Sequence, residues 1–351
     1  MTTDLKLFIG GASLGCHPGW IPSQGEFLAD LLQEHLSEVV VRSSNLHPLR
    51  RLTEILTELW RRRRAIDVAV FPVFSGSGFR VPELAGALAS RLRIKHVLWL
   101  HGGELPSFAS GRRRRVQRVL SRAEAIIVPS PYLGRLCDEL GAPCQIIPNG
   151  IRLPEYEYRE RPAPVPRLLW LRTFHEIYNP ELALKALKGI QQTHPKASMT
   201  LAGQDKGSLA ATRQAAKAGD LGEVVSFPGF LEGAAKRRAF AEHDVFLNTN
   251  HIDNMPVTLL EAAASGLPIV STNVGGIPDL LQDEKNALLV PDNDAEAMAQ
   301  GVRRVLDQPG LSESLATAAR EVAVASDVGI VRSQWLDMLS AVCRPGHGDA
   351  G

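Results

Sequence analysis

Short apolar runs alternate with stretches of helical periodicity along nearly the whole chain. The first run, residues 5–9, stops at Gly10-Gly11, and a helical pattern opens around Gly25, where Phe27, Leu28, Leu31 and Leu32 recur at helical spacing. The same alternation predicts strands at 39–41, 68–74, 96–100, 125–128 and 145–147, separated by helices at 49–64, 81–90, 112–122 and 132–140. The strand runs are continuously apolar and rich in β-branched residues, which predicts a parallel sheet covered by helices on both faces.

Residues 152–166 break the pattern with prolines, glutamates and tyrosines, and are expected to be a linker. Alternation resumes with strands predicted at 168–171, 199–202, 224–227, 245–248, 269–271 and 287–290, so a second parallel sheet is expected. From Asp294 to about Val342 the periodicity is purely helical. The expected organisation is a domain at 1–155, a second at 156–325, a terminal helix at 326–343 crossing back to the first domain, and a disordered tail at 344–351. Two doubly wound α/β domains of this kind bind ligands beyond the carboxyl ends of their strands, so the loops there carry most of the functional information.

Composition narrows the class. A chain of 351 residues has room for two cores, and its formal net charge of +1 argues against a nucleic-acid binder. The four cysteines show no paired spacing that would frame a metal, which suits free thiols in a reducing compartment. No apolar run is long enough to span a bilayer and the amino terminus has no basic leader, so a cytoplasmic location is expected.

Among the strand-end loops, Asp253 to Glu261 is the richest. Asn254 is placed to cap a helix beginning near Met255, Pro256 falls where a first-turn proline is tolerated, and Thr258 and Glu261 lie one turn apart on one face. Two carboxylates, Asp253 and Glu261, thus flank a helix entrance whose unbonded amides favour an anion, an arrangement suited to a sugar nucleotide.

This block, with Gly266-Leu267-Pro268-Ile269-Val270, Gly275-Gly276-Ile277-Pro278, Leu288-Leu289-Val290-Pro291 and Pro148-Asn149-Gly150-Ile151, resembles the family 4 (group 1) glycosyltransferases. The resemblance runs over nearly the whole chain. It implies the GT-B fold, two Rossmann-like doubly wound domains facing across a cleft. It also implies retaining, metal-independent transfer of a hexosyl-type sugar from a nucleotide-diphosphate donor to a glycan, lipid-linked or small-molecule acceptor, with no cofactor. By the same resemblance Glu261 addresses the donor ribose and Asp253 the donor sugar, although the family carries glutamate at the latter position. Arg172 corresponds to a diphosphate-binding arginine. The lysine expected a few residues later is missing from Glu176-Ile177-Tyr178-Asn179, and Lys206 is the candidate to replace it or, equally, a solvated loop lysine. His101, followed by Gly102-Gly103, corresponds to a histidine facing the donor sugar. Gly25 corresponds to a glycine that opens the first helix.

Asp292-Asn293-Asp294 superficially suggests a metal motif but is expected to be a turn and helix cap. Two arginine runs, at 61–64 and 112–115, are either solvated faces or a basic surface for anionic membrane, which would place the enzyme peripherally at the inner face. The competing functions are a non-catalytic or divergent sugar-nucleotide-binding protein and a sugar-nucleotide epimerase on the same architecture.

Overall fold

A computed structural model describes residues 3–13, 15–17 and 22–344. The tail expected at 344–351 therefore falls, apart from Arg344, outside the described residues. The chain divides into two compact units, one running to Pro148 and resuming at Gly329, the other comprising Asn149–Val328.

In the first unit, β1 (Thr3–Gly10), β2 (Leu36–Arg42), β3 (Val68–Val73), β4 (Lys95–Leu100), β5 (Ala125–Val128) and β6 (Gln145–Ile146) form one parallel sheet in the order β2-β1-β3-β4-β5-β6. Between them run α1 (Gln24–Leu32), α2 (Pro48–Arg61), α3 (Arg80–Arg91), α4 (Leu105–Ser110), α5 (Arg113–Leu120) and α6 (Pro131–Leu140). The alternation predicted every strand and all helices but the six-residue α4, which is too short to show a helical period. Strand β3 is buried along its whole length, and one core packs Phe8, Phe71, Phe79, Leu98 and Leu133 against the helices.

The second unit contains β7 (Arg167–Leu171), α7 (Pro180–Gln191), β8 (Ser198–Ala202), α8 (Leu209–Ala218), β9 (Val225–Gly229), α9 (Gly233–Glu242), β10 (Val245–Asn248), α10 (Val257–Ala264), β11 (Ile269–Thr272), α11 (Ile277–Leu280), β12 (Leu288–Val290), α12 (Ala295–Asp307) and α13 (Leu311–Ala325). Its parallel sheet runs β12-β11-β10-β7-β8-β9. Counted within the unit this is the 3-2-1-4-5-6 order of a dinucleotide-binding sheet. Side chains of β7 alternate between two cores: Leu168 and Trp170 pack on one face, Leu169 and Leu171 on the other. The last helix, α14 (Val328–Cys343), packs within the first unit, where Trp335 lies edge-on to Trp99 at 4.9 Å between ring centroids.

The segment expected to be a linker, residues 152–166, is fastened to the second unit. Arg161 is only 2% exposed and donates hydrogen bonds to the carbonyls of Phe240, His243, Ser265 and Arg159. Burial pushes its guanidinium down to about 10. The buried Asp244 carboxylate accepts from Arg159 and Arg167, each at 2.7 Å. A buried charge is tolerated only with this density of partners, so the segment is a strap rather than a free tether. Among the described residues no helix is long and apolar enough to cross a membrane.

Candidate donor site

The sheet of the second unit reverses its strand order between β7 and β10, which are hydrogen-bonded neighbours. Ligands of open α/β sheets bind outside the strand ends at such a reversal. Arg172 is the first residue after β7, and the loop from Thr249 to Pro256 follows β10.

The two loops are tied together through side chains. Arg172 Nη2 forms an ion pair with Asp253 Oδ2, and its Nη1 lies 3.4 Å from Thr258 Oγ1. The guanidinium also sits over the Tyr178 ring, 4.1 Å from the centroid. Asp253 Oδ2 accepts from Asn250 Nδ2 at 2.8 Å, and Oδ1 accepts from the Asn254 amide at 2.8 Å. Two glycines make this approach possible. A Cβ on Gly203 would collide with the Arg172 carbonyl, and one on Gly275, at φ +57°, with the Asp253 carbonyl.

The helix entrance differs from its expected form. Helix α10 starts at Val257 with Pro256 as N-cap and no side-chain cap bond, so Asn254 is not the cap. The fixed φ of Pro256 and its extended ψ of 120° steer the chain into the helix instead. Asn254 and Met255 are buried beneath the loop, where the Asn149 side-chain amide donates to the Met255 carbonyl at 2.8 Å.

Glu261 lies one helical turn beyond Thr258 and is 4% exposed. Its Oε1 accepts from Lys236 Nζ at 2.5 Å and from the Tyr156 hydroxyl at 2.6 Å, while Oε2 is buried without a partner. Burial, and after it the adjacent Glu261 charge, pushes the Tyr156 phenol well above its ordinary range, so Tyr156 stays a donor. Arg172 Nε is likewise buried and unpartnered. Buried polar atoms are nearly always satisfied, so an unpaired donor and an unpaired acceptor on side chains that meet one face of α10 mark a place built for something else. Lys236 and Tyr156 carried no local signal in the sequence, because they reach Glu261 from 25 and 105 residues away.

Lys206 lies in an exposed loop whose backbone joins the Arg172 loop, its amide donating to the Phe174 carbonyl at 2.9 Å. Asp294 caps α12 by accepting from the Ala297 amide at 2.9 Å, and Asp292 pairs with His251 at 2.8 Å. The Asp-Asn-Asp run is the turn and cap its position suggests.

In the first unit the order reverses between β1 and β3. Gly10 ends β1 against the Phe71 ring, and Gly25 is the second residue of α1, held by a capping box between Ser23 and Glu26. A Cβ on Gly25 would meet Ile9 Cγ2 at 3.2 Å, so packing against β1 by itself favours a glycine there. His101 follows β4, its amide donating to the Val73 carbonyl at 2.8 Å. Its ring stacks on Phe74 at 5.2 Å and meets Trp99 edge-on at 4.2 Å, with Nε2 unpartnered. Burial pushes its pKa down to about 3, so the imidazole is neutral at physiological pH.

Two family models match the chain in order: Glycosyltransferase Family 4 over residues 22–154 and Glycosyl transferases group 1 over residues 161–322. Among solved structures, sucrose-phosphate synthase from Thermosynechococcus elongatus superimposes with a TM-score of 0.79 at 17% identity, covering 97% of this chain and 99% of that one. Anabaena Alr3699/HepE in complex with UDP gives 0.77 at 17% identity, covering 96% and 100%. These likenesses define the fold as GT-B, two Rossmann-like units in one chain. The chain belongs to the family 4, group 1 glycosyltransferases. A glycogen synthase of Mycobacterium tuberculosis is 28% identical over 234 residues, 63% of this chain and 55% of that protein. The chain thus spans about half the length of the curated relatives it matches.

Proposed function

We propose that the protein is a retaining glycosyltransferase that moves a hexosyl-type sugar from a nucleotide-diphosphate donor to a glycan, lipid-linked or small-molecule acceptor. The observation that carries this reading is the pair of unsatisfied buried atoms on α10's ligand face, Arg172 Nε and Glu261 Oε2. A guanidinium beside Thr258 is suited to a diphosphate, and a carboxylate oxygen one turn further along is suited to a ribose hydroxyl. The UDP in the Alr3699/HepE complex supports a nucleotide diphosphate as the ligand class.

In the proposed reaction the bond between the anomeric carbon and the diphosphate oxygen breaks, and the acceptor oxygen bonds to the same carbon from the same face. The acceptor proton passes to the departing diphosphate. Arg172 stabilises the charge that develops on the leaving group, the kind of electrostatic contribution that dominates such reactions. Neutral His101 is the first unit's proposed catalytic residue, and Gly25 and Lys206 are proposed to contact the donor. Transfer is proposed to proceed without a divalent metal, since each site carboxylate already pairs with a cation of the chain, Asp253 with Arg172 and Glu261 with Lys236.

Peripheral membrane contact is proposed through α2 rather than through both arginine runs. Arg115 is spent on Glu83 at 2.6 and 2.8 Å, and Arg113 on the Glu139 carbonyl. In the other run Arg62 is held by Glu58 and Glu38, and Arg63 donates to the Trp60 carbonyl at 2.9 Å. Arg61 and Arg64 stay exposed, and what favours α2 is the apolar surface of Trp60, Leu49 and Leu46, 53%, 59% and 51% exposed, on the helix and just before it.

The test is donor turnover. A panel of nucleotide sugars is incubated with the protein, with and without glycan acceptors, and nucleoside diphosphate release is followed. The reading expects one donor to be consumed slowly without acceptor, with loss of that activity in Glu261→Ala. Conversion of the donor to an isomer without diphosphate release would instead establish an epimerase. Tight binding with no turnover under any acceptor would establish a binding protein.

A further inference from the structure

The resemblance assigns Asp253 to the donor sugar. The geometry points to a different role: we propose that Asp253 is a positioning residue for Arg172, locking it as a single preformed diphosphate fork, and that the carboxylate does not read the transferred sugar. This rests on the donor-site reading given above.

An ionised carboxylate offers about four lone-pair sites on two oxygens. Asp253 has committed three of them within its own unit, to Arg172 Nη2, Asn250 Nδ2 and the Asn254 amide. Its backbone is equally fixed, since its carbonyl accepts from the Gly276 amide at 2.9 Å where Gly275 leaves no room for a side chain. A glutamate would carry its carboxylate one C–C bond further, roughly 1.5 Å, off this loop. The aspartate keeps its charge at the loop, against the arginine.

The other side of the guanidinium is held just as firmly. Tyr178 lies beneath it at 4.1 Å, and Tyr178 belongs to the stretch from Glu176 to Asn179 where a second cation is absent. The segment that would have supplied a lysine supplies an aromatic face. A guanidinium held by a carboxylate at one nitrogen and a ring at its plane loses its rotamer freedom before the ligand arrives, which reduces the entropic cost of binding. Of its five N–H donors, one on Nη2 goes to Asp253 and one on Nη1 lies toward Thr258; the buried, unpartnered Nε and the second hydrogens of both Nη atoms are left for phosphate oxygens.

This role and a sugar-reading role predict different behaviour. Asp253→Asn removes a negative charge beside a phosphate site. If Asp253 acted only through its charge, the variant would bind nucleoside diphosphates more tightly. If it read the sugar, sugar nucleotides alone would bind more weakly. Positioning predicts that nucleoside diphosphate and sugar nucleotide weaken together, by about tenfold, in keeping with the loss of one charge-assisted contact.

The experiment is calorimetric titration of the full chain with UDP, GDP and ADP, then with the corresponding glucose nucleotide, in wild type, Asp253→Asn, Arg172→Lys and the double variant. Thermal melting of each variant establishes that it folds. The proposal expects equal losses for diphosphate and sugar nucleotide in Asp253→Asn, and a double variant no worse than Arg172→Lys alone, because the aspartate acts through the arginine. Loss confined to the sugar nucleotide, tighter diphosphate binding, or additive losses in the double variant would each overturn it. If wild type binds none of the three diphosphates, the donor-site reading itself has failed. Should Asp253→Asn fail to fold, the same comparison in Tyr178→Leu decides, with equal losses expected and a sugar-only loss contradictory.

Discussion

The two units share an architecture, six parallel strands under helices, yet their strand orders reverse at different places and the loops there carry opposite chemistry. In the second unit the reversal lies between β7 and β10, and the loops deliver Arg172, Asp253 and, along α10, Glu261 with Lys236. In the first it lies between β1 and β3, with glycines beside it and, after β4, an uncharged histidine packed between Phe74 and Trp99. The same fold thus builds a charged, hydrogen-bonded cluster at the strand ends of one unit and an aromatic one at those of the other. What differs is the residue placed at each strand end, not the scaffold.

Backbone substitution is the sharpest way to break this contrast. Gly275 and Gly102 both have positive φ, but only Gly275 has a carbonyl, that of Asp253, where a Cβ would go. Gly275→Ala is expected to cost about 3 kcal/mol in urea unfolding and Gly102→Ala only about 1, the difference reporting the closeness of the loops around Arg172. Equal costs would mean that the donor loops are no tighter than the histidine loop.

Acid should act on the aromatic site. The unfolded chain protonates histidine near pH 6.5, whereas folded His101 stays neutral until about pH 3. Within that window the unfolded state binds the extra proton, so stability falls as pH is lowered, by about 2 kcal/mol at pH 5 from this group. His96 and His243, also lowered by burial, act in the same direction. Urea midpoints at pH 7 and pH 5 should converge in His101→Asn relative to wild type. An undiminished acid sensitivity would show that His101 is not the neutral, buried ring described.

A smaller effect is expected at Lys236, whose side chain is 25% exposed. Lys236→Met leaves the Glu261 carboxylate with Tyr156 alone, and a stability loss of about 1–2 kcal/mol is expected after allowance for solvent screening. The same variant should weaken binding of a nucleoside diphosphate more than of pyrophosphate, since only the former carries the ribose proposed as the partner of Glu261. Equal weakening would place Lys236 on the phosphates instead.

Much of this was legible in the sequence, because strand and helix periods are local. The runs ending at Leu171 and Asn248 placed Arg172 and Asp253 at strand ends, and the spacing from Thr258 put Glu261 on the same helical face. The partners of those residues were not legible. Asp253 meets Arg172 across 81 positions, and no periodicity encodes such a contact. The helix entrance was misplaced by two residues because the expected asparagine cap competes with a proline that turns the chain by its own fixed angle. The stretch expected to be a tether became a strap because Arg161 satisfies four carbonyls that only the folded unit brings together.

The central claim, that the charged site of the second unit holds a nucleotide diphosphate through Arg172, is tested most directly by titrating UDP, GDP and ADP into wild type and Arg172→Ala and reading the heat of binding. The account predicts that one of the three binds wild type and that Arg172→Ala weakens it by about ten- to a hundredfold, the worth of a charge-assisted bond in a partly buried site. Binding unaffected by Arg172→Ala, or no binding of any diphosphate to the wild type, would contradict it.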